Sequence, residues 1–258
     1  MCNTLNVALA GISGQMNKFL IDLISTNKKI NITSSYSRKS SKYIGKKIGN
    51  SIVSSKLDDL GKNSEIIIDF TNPQLTVSLA KVAEKNKVPL VVGTTGLSKA
   101  QENVLFEKSK IIPIVYCSNT SVGIALLNKL VKEISTYLDN EWDVEIIERH
   151  HNKKIDFPSG TAISLGKSIA LGRKVNFKKV FSFNRNSLRK KGQIGFASTR
   201  AGNIVGEHEV GFFGDSESLE FSHRVTNRKI FAKGAIKAAY FAKNVKKPGL
   251  YSMDDVFA

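Results

Sequence analysis

The stretch "LNVALAG" runs without a break into "GISGQMNKFLIDLIS", and this change of period constrains the fold more than any other feature of the chain. The first part reads as a short apolar strand. In the second, Met16, Phe19, Leu20, Leu23 and Ile24 recur at helical spacing. Strand, glycine turn, helix is the opening of a βαβ unit. The alternation continues through the strand "NITSSYS", a polar stretch, "EIIIDF", the helix-like "PQLTVSLAKVAEKN", the strand "VPLVVGTTG", another helical segment and "IIPIVYCS". Strands apolar on both faces need helices on both sides, so a Rossmann-like parallel α/β sheet is predicted.

The pattern changes after Asn119. An amphipathic segment, "SVGIALLNKLVKEISTYL", leads to the strand "WDVEIIERHH" and the helix "TAISLGKSIALG". From about Lys178 to Asn227 extended segments alternate with turn residues ("QIGFASTRAG", "HEVGFFG", "SLEFSHRV"), which predicts an open mixed or antiparallel sheet in an α+β domain. The last helix, "FAKGAIKAAYFAKN", and "GLYSMDDVF" read as a return to the first lobe. A chain of 258 residues is long for one core and comfortable for two. The expected division is residues 1–119 with 229–258, and residues 120–228.

With 41% hydrophobic and 24% charged residues the balance is that of a soluble globular protein. No apolar run approaches the roughly 20 residues a membrane span needs, and "MCNTLNVALAGISG" lacks the basic start and cleavage pattern of a secretory signal. A cytoplasmic protein without a membrane partner is expected. Cys2 and Cys117 are too few for a disulfide framework and have no metal-ligand spacing, so Cys117 is expected to be a small buried residue. The net charge of +17 raises a nucleic-acid partner. Lysines, however, come in ones and twos, with no run of five or six and no aromatic-interleaved basic block. A solvated lysine-rich surface is the expectation, with no nucleic acid bound, though such a field attracts a polyanionic cofactor or a dianionic substrate.

In "GISGQMN", Gly11 and Gly14 supply the tight turn and bare backbone where a pyrophosphate approaches a helix N-terminus. Asn17 stands where a third fingerprint glycine would serve close helix packing, so it is expected to alter packing more than phosphate contact. The motif alone leaves dinucleotide binding and an ordinary strand-end turn both open. The second strand ends Tyr36, Ser37, Arg38, Lys39, with no carboxylate for ribose hydroxyls and two cations suited to a 2′-phosphate; the sequence leans toward NADPH, with NADH possible. Two further loops, Asp69–Pro73 and Gly93–Gly96, fall at carboxyl ends of strands, where ligands of open α/β sheets sit.

"ERHHNKKIDFPSGTA", Glu148 to Ala162, crowds two histidines, two lysines and a Pro-Ser-Gly-Thr turn into fifteen residues. Adjacent side chains at a strand end project to opposite sides, so His150 and His151 have different tasks. Lys154 follows, and "PSGTA" opens a helix whose cap is Ser159 or Thr161. The amides of Gly160 and Thr161 would face the same space as Lys154, a carboxylate-binding arrangement. A metal reading fails on spacing, because adjacent histidines do not readily share one ion and no second pair of ligands follows.

This stretch resembles the H-H-x-x-K-x-D-x-P-S-G-T-A signature of the dihydrodipicolinate reductase family. "GISGQM", "IIIDFTNP", "VVGTTG", "NTSVGIALL", "RAGNIVGEHEV" and "FAKGAIKAA" resemble its other segments in order, so the resemblance spans nearly the whole chain. It implies a homotetrameric, NAD(P)H-dependent enzyme of lysine and diaminopimelate biosynthesis that reduces a cyclic dicarboxylic imine to tetrahydrodipicolinate. It further implies that residues 1–119 with 229–258 bind the dinucleotide, and that residues 120–228 bind the small dicarboxylate substrate and form the tetramer. By position, His150 would be the general acid and Lys154 its partner in catalysis and substrate binding, with His151, Gly160 and Thr161 holding substrate. The implied cofactor contacts are Gly11, Ile12, Ser13, Gly14, Gln15 and Met16 in the turn, and Arg38, Lys39 and Phe70 beyond it. Gly93, Thr94, Thr95, Ser118, Asn119 and Thr120 complete them. His208 and His223 match later segments and read as satisfied sheet histidines, and Arg228 as a residue able to reach the active site from the hinge.

The physical reading is coherent. Hydride reaches a carbon conjugated with the ring's C=N bond, and a proton must follow to the neighbouring carbon. An imidazole, ordinarily titrating near 6.5, can supply that proton. Two other readings stay open: a different Rossmann-type reductase of a small imino or keto acid, and a basic non-catalytic nucleotide-binding protein.

Overall fold

A computed structural model describes residues 4–183 and 186–257; Cys2 lies outside them. The chain divides into two compact units, one running through Ser121 and resuming at Arg228, the other Val122–Asn227.

The first unit is built from β1 (Leu5–Ala10), α1 (Gln15–Ser25), β2 (Ile30–Tyr36), a small hairpin of β3 (Lys47–Ile48) and β4 (Ser51–Ile52), α2 (Asp59–Lys62), β5 (Ile66–Asp69), α3 (Pro73–Lys85), β6 (Leu90–Val92), α4 (Lys99–Ser109) and β7 (Pro113–Tyr116). The second contains α5 (Val122–Ile134), β8 (Asp143–His150), α6 (Gly160–Gly172), α7 (Phe177–Val180), β9 (Phe181–Ser182), β10 (Ile194–Arg200), β11 (Gly206–Phe213) and β12 (Ser218–Val225). In the first unit again, α8 (Lys229–Asn244), β13 (Gly249–Tyr251) and α9 (Met253–Val256) close the chain.

The first sheet has the order β13-β7-β6-β5-β1-β2, and every pairing in it is parallel. Every residue of β5 and β6 is buried, as expected of central strands covered on both faces. Its core joins Ala8, Ile67, Leu90 and Ile114 from the strands to Leu79 and Leu105 from the helices. The Rossmann-like prediction stands. Boundaries follow local chemistry: Asn72 caps α3 by accepting from the Leu75 amide, Pro73 occupies its first turn, and Ser98 with Gln101 forms a reciprocal capping box on α4.

The second sheet, β12-β11-β8-β10-β9, is mixed, as predicted: β8 runs parallel to β10 and antiparallel to β11. Its core gathers Val144 and Ile146 of β8, Phe196 of β10 and Phe212 of β11 against Leu127 of α5 and Leu165 of α6. Strand β8 alternates strictly between partly exposed and buried residues. The buried row reads Val144, Ile146, Glu148, His150, so the period of two that drives the first pair into the core carries an acid and a histidine inward after them.

Candidate active site

At the carboxyl ends of β1, β2 and β5, a cleft of about 580 Å³ is lined by Gly11, Ser13, Gly14, Arg38, Phe70 and Gln74, among others. Gly11 has φ +80°, a conformation that favours glycine, and a Cβ there would come within 2.7 Å of Thr71 Cγ2. Gly14 is the N-cap of α1 and offers no side-chain cap, so the helix's first-turn amides are not taken by one. That geometry fits a pyrophosphate. Behind the cleft, Asp69 is fully buried and accepts from Thr71 Oγ1 and Thr76 Oγ1, each at 2.5 Å, while the Thr71 amide donates to Thr94 Oγ1. Burial pushes the Asp69 carboxyl up, and these hydroxyls act against it. The loops "DFTNP" and "GTTG" are thereby stitched together.

Asn17 does more than pack. Its side chain is buried, and Nδ2 donates to the carbonyls of Ala10 at 2.9 Å and Gly11 at 2.8 Å. The asparagine ties the turn by hydrogen bonds where a glycine would only have left room.

The other positions are distributed around this end of the sheet. Ile12 is buried beneath the turn; Gln15 and Met16 open α1, the first exposed and the second half-buried. Arg38 and Lys39 are both exposed; Arg38 lines the cleft and Lys39 lies outside its lining. A Cβ on Gly93 would overlap the Phe70 ring, so the ring packs against bare backbone. Thr94 is buried, Thr95 exposed, and Ser118, Asn119 and Thr120 follow β7. Thr120 is tied to α8, its Oγ1 donating to the Phe231 carbonyl at 2.7 Å. Cys117, expected to be buried, is only partly so because it lies past the strand's end; its thiol is nevertheless pushed up to about 12 by burial.

In the second unit the crowded stretch forms one connected cluster. His150 is 8% exposed, and its Nδ1 lies 2.7 Å from Glu148 Oε2. Glu148 Oε1 accepts from Ser198 Oγ at 2.6 Å, Arg200 Nη2 at 2.8 Å and the Ser159 amide at 3.3 Å. Strand register explains the convergence: Ser198 and Arg200 of β10 lie beside Glu148 and His150, and His208 of β11 lies opposite Glu148. Burial raises the Glu148 carboxyl, but the bonds from His150, Ser198, Arg200 and Ser159 outweigh it and hold the group far below the usual carboxylate range.

Ser159 caps α6, accepting from the Ala162 amide, and its Oγ lies 3.1 Å from His208 Nε2. His208 is therefore more than a satisfied sheet histidine. It packs edge-on against His150 with ring centroids 5.1 Å apart, and its Nδ1 is buried without a hydrogen-bond partner among the described residues. Burial pushes its pKa down to about 3, and the neighbouring His150 adds to the effect. Gly160 and Thr161 form the first turn of α6, and His151 follows β8, half-buried. Lys154 is drawn onto Asp156, with Nζ 2.8 Å from each carboxylate oxygen. Arg228 is the N-cap residue of α8 and partly buried.

Glu148, His150 and His208 also form the one group of three metal-capable side chains among the described residues, with candidate ligand atoms within 4.8 Å of one another. Two ligands on one tetrahedral zinc at about 2.0–2.1 Å stand roughly 3.3 Å apart. The Nδ1 to Oε2 separation of 2.7 Å is too short for that and is a direct ion-pair contact, and Arg200 occupies the other carboxylate oxygen. The sequence had pointed to His150 but not to Glu148, Ser198, Arg200 or His208 as its companions.

The family model described as "Dihydrodipicolinate reductase, N-terminus" matches residues 5–120, and that described as "Dihydrodipicolinate reductase, C-terminus" matches residues 123–257. A 4-hydroxy-tetrahydrodipicolinate reductase from Wolbachia sp. subsp. Brugia malayi (strain TRS) is 42% identical over 264 residues, covering 98% of this chain and 99% of its own. The enzyme of that name from Buchnera aphidicola subsp. Baizongia pistaciae (strain Bp) is 38% identical over 266 residues, covering 98% and 97%. Among solved structures, the dipicolinate-bound dihydrodipicolinate reductase from Paenisporosarcina sp. TG-14 has the same fold, with a TM-score of 0.76 at 20% identity over 96% of this chain and 97% of that one.

Proposed function

This chain belongs to the dihydrodipicolinate reductase family, and we propose that it reduces 4-hydroxy-tetrahydrodipicolinate to tetrahydrodipicolinate with NADPH, His150 serving as general acid. It is a pyridine-nucleotide-dependent oxidoreductase of diaminopimelate and lysine synthesis. A reduced nicotinamide supplies the hydride when bound. The chain's own residues supply the rest: the α1 turn from Gly11 to Met16 holds the pyrophosphate, and Arg38, with Lys39 near it, meets the 2′-phosphate. Phe70, Gly93, Thr94, Thr95, Ser118, Asn119 and Thr120 bound the cofactor from the neighbouring strand ends. Residues 1–119 with 229–258 take the dinucleotide role, and 120–228 the substrate and assembly role.

The observation that carries this reading is the buried Glu148–His150 pair beside the N-terminal turn of α6. The 4-hydroxyl leaves as water with a hydrogen from the neighbouring ring carbon, and after hydride adds at the carbon so vacated, His150 delivers a proton to that neighbouring carbon. His151, Gly160 and Thr161 hold the substrate, the helix start favouring its carboxylate. Lys154 holds a second carboxylate and offsets developing negative charge. To do so it must share or leave Asp156, whose side chain is 63% exposed. An exposed pair of this kind is worth of order 1 kcal/mol or less, so a dianion gripped from two sides can displace it.

The direct experiment follows loss of NADPH absorbance when the protein is given freshly made product of dihydrodipicolinate synthase. His150→Gln should lower kcat about 100-fold or more while cofactor affinity changes little. Near wild-type turnover in that variant would remove His150 from the mechanism. A homotetramer in the cytoplasm completes the proposal; sedimentation at several protein concentrations tests the assembly, for which the largely exposed edge strand β12 offers a surface.

A further inference from the structure

We infer that Glu148 is a positioning residue for the proton donor: its carboxylate holds His150 with Nδ1 protonated and turned inward, which leaves Nε2 as the nitrogen that gives up the proton. This inference rests on the assignment of His150 as general acid. Its ground is the division of work between the two oxygens. Oε1 is filled by Ser198 Oγ, Arg200 Nη2 and the Ser159 amide. Oε2 and Nδ1 are both buried, neither has an aligned hydrogen-bond partner, and they lie 2.7 Å apart, each the other's nearest polar contact open to it. An ionised carboxylate only accepts, so a contact this short places a hydrogen on Nδ1. Glu148 is 1% exposed and bonded to β10 and to the start of α6, so it cannot turn toward another partner without leaving donors buried and unpaired.

The other nitrogen is treated differently. A Cβ at position 206 would come within 3.1 Å of His150 Nε2, so Gly206 keeps that side of the ring clear of side chain. The ring thus meets a carboxylate at one nitrogen and only glycine backbone at the other. A purely structural ion pair between Glu148 and Arg200 would make no demand on the tautomer of His150.

Glu148→Gln separates these readings. Arg200 and the Ser159 amide can only donate, so they keep the glutamine carbonyl where Oε1 stood, and the NH₂ then faces Nδ1. Nδ1 must accept, and the neutral ring moves its proton to Nε2. ¹⁵N NMR of labelled protein reads this directly. Wild-type neutral His150 should show a protonated Nδ1 and the variant a protonated Nε2. In the same variant kcat should fall about 10²- to 10⁴-fold, the range for losing a general acid or its tautomer, with KM for NADPH unchanged. A protonated Nε2 in the neutral wild-type ring would overturn the inference, and that measurement needs no variant to fold. Undiminished turnover in Glu148→Gln beside a collapse in His150→Gln would overturn it too. Full turnover in His150→Gln would instead bring down the assignment of the general acid and would leave the tautomer reading standing.

Discussion

His208 shows what a single buried ring costs. Desolvation, reinforced by His150, His223 and Lys154 and opposed by Glu148, pushes its pKa down to about 3. The unfolded chain therefore binds a proton near 6.5 that the folded chain refuses. The sign follows: stability from this group is complete above about 6.5 and is lost as pH falls toward 3. Glu148, also depressed, adds its own loss only below the ordinary carboxylate range. Between pH 7 and pH 5, His208 alone should remove about 2 kcal/mol of unfolding free energy. Urea denaturation at a series of pH values checks this, because His208→Asn should flatten the slope in that window while leaving the steeper acid limb. An unchanged slope would mean that His208 is solvated in solution.

Elements placed these residues, and elements were only partly legible in advance. The strands of the first sheet announced themselves as apolar runs broken by helical spacing, and Gly11 and Gly14 marked the turn. The hairpin of β3 and β4, with two residues per strand, has too little period to be read from sequence. The partners of Glu148 were hidden for another reason: Ser198, Arg200 and His208 lie far along the chain, and only the register of β8 with β10 and β11 brings them alongside. Asn17 was visible, but the two hydrogen bonds its buried amide adds to the turn were not. Asn17→Ala should leave the buried carbonyl of Ala10 without that donor and cost about 1–3 kcal/mol in thermal or urea unfolding. On the proposed assignment the turn meets the pyrophosphate that both nicotinamide cofactors share, so KM for NADPH and NADH should rise together. Lost stability with both KM values intact would return Asn17 to the packing role its position suggested.

At the scale of the whole molecule the net charge of +17 acts on every anion that approaches, whereas Arg38 acts at one place. The two can be told apart. A diffuse positive field speeds encounter in proportion to ligand charge and is screened over about 10 Å at 0.1 M salt. NADPH carries about two more negative charges than NADH through its 2′-phosphate, so its kcat/KM should fall more steeply as ionic strength rises. Arg38 lines the cleft at the end of β2, where, on the proposed assignment, its guanidinium would meet that phosphate by charge-assisted hydrogen bonds. Arg38→Ala should raise KM for NADPH about tenfold, as for the loss of one such bond, and leave KM for NADH nearly unchanged. The steeper salt dependence of NADPH should survive the substitution, because the scattered lysines that generate the field remain. Equal changes in KM for the two cofactors would refute the phosphate assignment, and identical salt slopes in the unmodified enzyme would show that the surplus charge takes no part in cofactor capture.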